Sequence, residues 1–428
     1  MTARSILVLP LALTLAACGT SDASPPTAGG EADTVVADAS LTLTGDVSVT
    51  PSVAALPDGR ALVVAVTGDP AEVRLWRVGA DGQAGEAVIV SPPGERAPSP
   101  SSDVQVVSVG ERVHVLWRNR IEIPGRAWPG ADLWLATSDD GGQTFGAPVA
   151  VNDDQGGRPT EHAFQSLAAG PDGALHAVWI DFRRQDAART APAQAHAAHG
   201  HTPIRLVHDT EAALPGAEIR AAVSRDGGRS FGPSVVLDTT ACECCPTAVA
   251  VAPDGAVVAA WRSIFPGSER DIATARSTDG GQTFTERARV HRDAWAIEGC
   301  PHNGPSLAVE DGRTTVTWFT GAEERMGRYA ASASGDGAFE APVSLGGPQS
   351  SHAALAPGPE GTWAVWEAAG DSARVALAPL DNAAAPMDLG AGRLPALYVS
   401  GDRWAAAWVD GDALRFRSGS TTGPSDAP

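Results

Sequence analysis

The stretch SDDGGQTF at Ser138–Phe145 decides the fold, because closely similar stretches follow it along the chain. They are SRDGGRSF at Ser224–Phe231, STDGGQTF at Ser277–Phe284 and a shortened copy, SGDGAF, at Ser334–Phe339. In each copy a carboxylate and hydroxyl groups can accept hydrogen bonds from the N–H groups of a tight turn, while glycine allows backbone conformations that other residues avoid. The carboxylate spacing does not match an EF-hand calcium loop. We therefore interpret the motifs as structural turns.

A longer repeat surrounds these turns. Each copy has an apolar run, a turn centred on glycine and a second apolar run that usually ends in Trp. A spacing of about 45–60 residues leaves room for four strands per copy, which is typical of β-propellers. The copies are Pro51–Val66, Val104–Trp117, Gln165–Trp179, Thr247–Trp261, Ser306–Trp318, Ala353–Trp366 and Pro395–Trp408.

The repeat predicts an all-β fold, a β-propeller with four-stranded antiparallel blades. Seven copies favour seven blades, with six blades as the alternative. The last copy has three clear strands, and the alternating stretch Leu41–Val49 is predicted to supply the fourth. Such pairing of the two chain ends would remove exposed strand edges.

The N-terminal segment has the pattern of an export signal. The apolar run Ile6–Ala17 ends in Leu-Ala-Ala-Cys at Leu15–Cys18, which resembles the bacterial lipobox. That resemblance implies a lipidated Cys18 as the first mature residue, with an ordinary secretory signal as the alternative. Gly19 after the cysteine then favours the outer membrane of a bacterial cell envelope.

These patterns divide the chain into four parts. Residues 1–18 are predicted to be the signal peptide, 19–40 a flexible tether, 41–418 a single propeller domain and 419–428 a disordered tail. The membrane is expected to be reached through the Cys18 lipid alone, and the protein is expected to be a monomer.

The net charge of the chain limits the classes of partner that it can bind. The chain has 31 basic and 51 acidic side chains, a formal net charge of −20. Nucleic-acid binding needs a basic surface, so this class of partner is excluded.

The turn motif resembles the S-x-D-x-G-x-[TS]-[WF] Asp-box of sialidase-like propellers, and the resemblance covers most of residues 45–418. In that family the boxes join the third and fourth strands of a blade, opposite the ligand funnel. The chain is also similar to bacterial envelope proteins that combine a C-x-C-C element with a G-C-P-x-x-G-P element, matched here by Cys242–Thr247 and Gly299–Pro305.

The sialidase resemblance implies arginines that hold a carboxylate, an aspartate acid and a tyrosine nucleophile. The family's Phe-Arg-Ile-Pro signature is missing from this chain. An anionic, glycan-type ligand is expected to be bound or hydrolysed in the funnel, and a non-catalytic protein-interaction propeller is a second alternative. The ligand-binding candidates are Arg120, Arg183, Arg262 and Arg270, and the catalytic candidates are Asp181, Asp271 and Tyr398.

Cysteine and histidine residues precede the inner strands of neighbouring repeats. Matching Asp254 of one turn with Asp311 of the next puts Cys245 level with His302. Disulfides are one interpretation in an oxidising compartment, and a site for copper(I) or zinc is the other. The predicted metal ligands are Cys242, Cys244, Cys245, Cys300, His302 and His162. The insertion Gln185–Ala217 is also rich in histidine and is predicted to be a loop.

Overall fold

The computed structural model describes residues 37–42, 50–68, 70–92, 103–123, 129–190, 216–359, 361–368, 372–381 and 385–421. Cys18, the rest of the predicted signal peptide and residues 19–36 of the predicted tether lie outside these ranges.

The described strands are antiparallel and are arranged in sets of four consecutive strands. The sets are β2–β5 (Ser52–Ala55, Ala61–Thr67, Glu72–Val78, Val88–Ile89), β6–β9 (Gln105–Val109, Arg112–Ile121, Gly130–Ser138, Val149–Ala150), β10–β13 (His162–Ala169, Leu175–Asp181, Ala217–Ser224, Val235–Ala241), β14–β17 (Ala248–Val251, Val257–Phe265, Glu269–Ser277, Ala288–Arg289), β18–β21 (Ser306–Glu310, Arg313–Thr320, Gly327–Ser334, Val343–Ser344) and β22–β25 (Ala353–Gly358, Gly361–Ala368, Arg374–Pro379, Met387–Ala391). A last set combines β26–β28 (Arg393–Ser400, Arg403–Asp410, Ala413–Ser420) with β1 (Ala37–Thr42).

The first strand of each set lies innermost. These strands contact one another in the order β2, β6, β10, β14, β18, β22 and β26, and β26 contacts β2 again. The sets β10–β13 and β14–β17 are further joined by one residue pair, Ala241 with Ser263. The predicted four-stranded antiparallel propeller is confirmed, while the number of blades stays a prediction.

The last set is completed by the N-terminal part of the chain, as the alternation predicted, but through an earlier segment. Ala37–Thr42 pairs with β28 in a register that joins Ala37 to Ser418 and Thr42 to Ala413. Residues 43–49 of the predicted strand lie outside the described residues.

The second strand of each set supplies most of the core. Every residue of β3 and of β11 is buried, which explains why these runs are apolar without strict alternation: both faces of the sheet are covered. Trp117, Trp179 and Trp261, which lie within second strands, have no exposed surface.

The Asp-box turns lie between the third and fourth strands, as the resemblance implied. In the first turn Asp140 accepts hydrogen bonds from the backbone N–H of Gln143 and Thr144 and from the Thr144 hydroxyl, at 2.6–2.9 Å. Ser138 Oγ accepts the N–H of Gly142 at 2.8 Å. The turn itself uses these polar groups, as expected for a structural turn.

A helix follows β11 and overlaps the start of the predicted loop Gln185–Ala217. It is α1, Arg183–Thr190, and Asp186 in its first turn accepts a hydrogen bond from Thr160 Oγ1 at 2.6 Å. Residues 191–215, which contain all the histidines of this insertion, lie outside the described part of the chain. A short 3-10 helix, Glu323–Arg325, connects β19 and β20.

Candidate functional site

An axial channel of about 310 Å³ runs between the inner strands at the end opposite the Asp-box turns. Every set contributes to its wall, mainly through the residues that begin the inner strands. The polar lining residues include Ser52, Asp103, Gln105, Gln165, Ser166, Thr247, Asn303, Arg328 and His352. The channel is therefore a polar cavity of a size that suits a small ligand.

Among the channel residues, Arg328 has the most unusual environment for a charged side chain. Its side chain is 1% exposed. Its Nη2 donates to Asn303 Oδ1 at 2.5 Å and its Nη1 to Thr317 Oγ1 at 3.4 Å, while Nε has no partner. Burial, with the nearby Arg262, lowers the pKa of Arg328 to about 9. Within the described residues no carboxylate lies at ion-pair distance from this guanidinium.

Two more arginines are buried beside it without a described carboxylate partner. Arg262 donates to the backbone carbonyl oxygens of Asn303, Arg270 and Phe319 at 2.6–3.3 Å. Arg270 donates through Nη1 to Gly299 O at 2.9 Å. Carbonyl oxygens accept most of these N–H groups without neutralising the positive charges, and Arg270 Nε has no partner.

A cluster of three cysteines adjoins these arginines. Cys242, Cys244 and Cys245 are buried in the loop between β13 and β14, and their sulfur atoms lie within 4.8 Å of one another. Cys242 Sγ lies 3.6 Å from Cys245 Sγ, 3.9 Å from Cys244 Sγ and 3.3 Å from Arg270 Nη1. We call these residues the cysteine cluster.

The surroundings separate the acidities of these thiols. Hydrogen bonds from Cys244 and Cys245, with the charges of Arg270 and Arg262, lower the pKa of Cys242. Burial and the neighbouring Cys242 raise the pKa of Cys245, and hydrogen bonding to Cys242 raises that of Cys244. Cys242 is therefore the most acidic of the three thiols.

The other predicted metal ligands stand apart from the cluster. Cys300 and His302 are exposed, and neither belongs to the group of close ligand atoms found among the described residues. His302 also adopts a φ of 49°. His162 is buried and its Nδ1 donates to Ala131 O at 2.7 Å.

His162 instead belongs to a charged network beside the channel. Its Nε2 lies 3.2 Å from Asp154 Oδ1 and 3.4 Å from Asp181 Oδ2. Arg183 bonds both oxygens of Asp181 at 2.7–2.9 Å and Asp153 at 2.7 Å. Arg220 Nε lies 4.0 Å from Asp181 Oδ2, so the carboxylates meet the charges of one imidazole and two guanidinium groups.

This network predicts a pH-dependent stability. Burial alone would lower the pKa of His162, but the carboxylates of Asp154 and Asp181 raise it above 6.5. The protonated imidazole therefore stabilises the fold fully below about pH 6.5, and this contribution is lost as the pH rises through the folded-state pKa. We expect the stability difference between the natural protein and His162→Gln to be largest at acidic pH and to shrink as the pH rises above about 6.5. Urea unfolding at several pH values measures it, and a constant difference would contradict this account.

The remaining candidates are distributed over the molecule. Arg120 is exposed, and its Nη2 lies 3.5 Å from Glu122 Oε1. Asp271 is buried and accepts a hydrogen bond from Arg289 at 3.0 Å. Tyr398 lines a different cavity, with the turn residue Gly59, at the Asp-box end. The structure therefore does not bring the three catalytic candidates together.

Arg328 was not predicted from the sequence. Its one signal is positional, because it is the second residue of β20 just as Arg270 is the second residue of β16. No helix in the described part of the chain is long and apolar enough to cross a membrane.

Two structural observations decide the fold type: the four-stranded sets follow one another around a channel, and an Asp-box turn lies between the third and fourth strands of successive sets. The fold is a β-propeller. No protein-family model matches the sequence, and no curated protein matches it significantly.

Solved structures with similar propellers are distant in sequence. A protein of unknown function from Dyadobacter fermentans has 13% identity and a TM-score of 0.49, over 90% of this chain and 99% of its own. The NanB sialidase from Streptococcus pneumoniae has 9% identity and a TM-score of 0.49, over 85% and 84%. The Hadza microbial sialidase Hz136 has 12% identity and a TM-score of 0.46, over 82% and 73%. Nothing about the activity of this β-propeller follows from likenesses this distant.

Proposed function

We propose that this protein is an exported, lipid-anchored propeller that binds a small anionic ligand of the glycan type in its axial channel. The observation that carries the proposal is Arg328, a buried arginine in the channel wall without a described carboxylate partner. Export and anchoring through Cys18 are proposed from the lipobox pattern.

The electrostatics favour an anion. A buried charge costs several kcal/mol of free energy unless an opposite charge accompanies it. The lowered pKa of Arg328 expresses this cost. A carboxylate bound in the channel would supply the missing charge and could bond to a planar guanidinium through two oxygens.

The rest of the wall suits a hydroxyl-rich molecule. Gln105, Gln165, Ser166 and Thr247 supply amide and hydroxyl groups, and the volume of about 310 Å³ is that of a small-molecule site. Sugar hydroxyl groups are complementary to such donors and acceptors.

The proposal is binding without hydrolysis. Asp181, a candidate acid, is fully buried and held by Arg183, and Asp271 faces Arg289. Tyr398, the candidate nucleophile, lines the cavity at the other end of the propeller. Catalysis requires an acid and a nucleophile within reach of one bond.

The test compares Arg328→Met with the natural protein. We expect N-acetylneuraminic acid to bind the natural protein and its affinity to fall at least roughly tenfold in the variant, because one charge-assisted contact is worth about 1.5–3 kcal/mol. Isothermal titration calorimetry measures it, with N-acetylmannosamine as the uncharged sugar. Arg403→Met, which removes an exposed arginine at the other end, is the matched control.

Two results would overturn the proposal. If the natural protein does not bind N-acetylneuraminic acid, or if Arg328→Met binds it with equal affinity, the proposed anion site is wrong. Turnover of a fluorogenic sialoside would show that the funnel hydrolyses its ligand.

A further inference from the structure

We propose that the cysteine cluster is a copper(I) site in which Cys242, Cys244 and Cys245 supply three thiolate ligands and Arg262 and Arg270 supply the balancing charge. The site lies beside the axial channel. It uses Arg262 and Arg270, which were predicted from the sequence as anion ligands, but not Arg328, on which the proposed anion binding rests. It is therefore a second function of the same face of the propeller.

The sulfur geometry fits a metal ion with little rearrangement. Thiolate–metal bonds of about 2.3 Å place the sulfur atoms of a tetrahedral or trigonal site about 3.8–4.0 Å apart. Cys242 Sγ lies 3.6 Å and 3.9 Å from the other two sulfur atoms.

The loop that carries the cysteines is fixed at both ends. The N–H of Cys242 donates to Arg262 O at 2.9 Å, and the N–H and hydroxyl of Thr247 donate to Phe164 O at 3.1 and 2.7 Å. Phe164 and Ile264 pack against the cluster. Because the ligands are already held together, binding an ion costs little conformational entropy.

The charges favour copper(I) over zinc. Three thiolates and one Cu⁺ carry a net charge of −2, which two arginines neutralise. Arg270 contacts Cys242 Sγ directly, and neither Arg270 nor Arg262 has an ion-pair partner in the described part of the chain. Zinc would leave one positive charge uncompensated and needs a fourth ligand, whereas copper(I) is a soft ion suited to thiolates alone.

This set is narrower than the six ligands predicted from the sequence. His162 is held by Ala131 and the charged network, and the exposed Cys300 and His302 stand outside the cluster. A disulfide between two of the three cysteines is the competing state. It would form with loss of two protons and two electrons to an oxidant and would leave too few thiolates for this site.

The experiment titrates the reduced full-length chain with Cu(I) in competition with bathocuproine disulfonate, without oxygen. We expect one copper per protein, with about three sulfur neighbours at roughly 2.3 Å by X-ray absorption. Cys242→Ser and Cys244→Ser are expected to lose this binding. Cys300→Ser, which removes the exposed cysteine, is expected to keep it.

Arg270→Met tests the charge argument. It should keep the stoichiometry and lower the Cu(I) affinity roughly tenfold or more, in the range seen for residues that support metal ligands. We expect the natural protein to bind Zn(II) more weakly than Cu(I).

Several outcomes would overturn the copper site: retention of copper by Cys242→Ser, a spectrum without three sulfur neighbours, tighter binding of zinc, or a disulfide within the cluster that persists under reductant. The absorption measurement needs no variant, so a failure of Cys242→Ser to fold does not weaken the test. Arg328 is untouched in all these variants, so failure here is distinct from failure of the anion site.

Discussion

Asp181→Ala is expected to lower the free energy of unfolding by about 3–5 kcal/mol, because it removes one partner from a buried charge network. Asp181 is fully buried. It accepts hydrogen bonds from Trp179 Nε1 at 2.9 Å and from Arg183 at 2.7–2.9 Å, with His162 Nε2 at 3.4 Å. The variant leaves the indole N–H without its acceptor and two cations with less compensation. Urea unfolding at neutral pH measures the loss.

Asp388→Ala is the matched control for this variant. Asp388 pairs with Arg374 on an exposed strand, where solvent screens the interaction, and its removal should change stability little. Equal losses in the two variants would show that the buried network has no special role. If Asp181→Ala keeps its stability, the network does not hold the propeller together.

Trp261→Ala should produce a loss of similar size, about 3–5 kcal/mol, by a different mechanism. The indole has no exposed surface and packs in a cluster that includes Ala241 and Phe164. Its Nε1 donates at 2.7 Å to Asp238, which also binds Arg287. Truncation leaves a cavity between two sheets and removes one donor from a buried carboxylate.

Trp134→Ala is the control, because it removes a side chain of the same size and chemistry. Trp134 lies in β8 and is only partly buried, so its loss should open a smaller cavity. Thermal and urea unfolding of both variants compare the two positions. A loss at Trp134 as large as that at Trp261 would contradict the packing argument.

The strands and turns were predictable because their causes are local. A glycine turn and an apolar run specify a hairpin wherever they occur, and the second strands β3 and β11 are buried as their composition indicates. The position of the N-terminal strand was predicted less accurately. Alternation marks a strand, but the register depends on the partner, and β28 pairs with Ala37–Thr42.

The candidate site was only partly predictable because its causes are not local. Cys245 and His302 were predicted to lie level because each stands the same number of residues before a matched turn. That count assumes that the backbone follows the same path in both repeats. However, β14 begins at Ala248 and β18 at Ser306, so both residues lie in the segments before the strands. The positive φ of His302 shows that this path is not extended. Arg328 meets Asn303 and Thr317 only when the chain is folded, so no spacing in the sequence could show a buried arginine without a carboxylate.

The pairing of β1 with β28 affects the choice of fragment for recombinant expression. A fragment that begins at residue 41, the predicted domain boundary, would lack Ala37–Ser40. It would therefore lose most of the residue pairs that β1 makes with β28. The uncovered backbone groups of Arg415–Ser418 would then form an open strand edge that can pair with a second molecule. A fragment that begins before Ala37 retains the covering strand, so the cloning boundary alone decides whether this edge is protected.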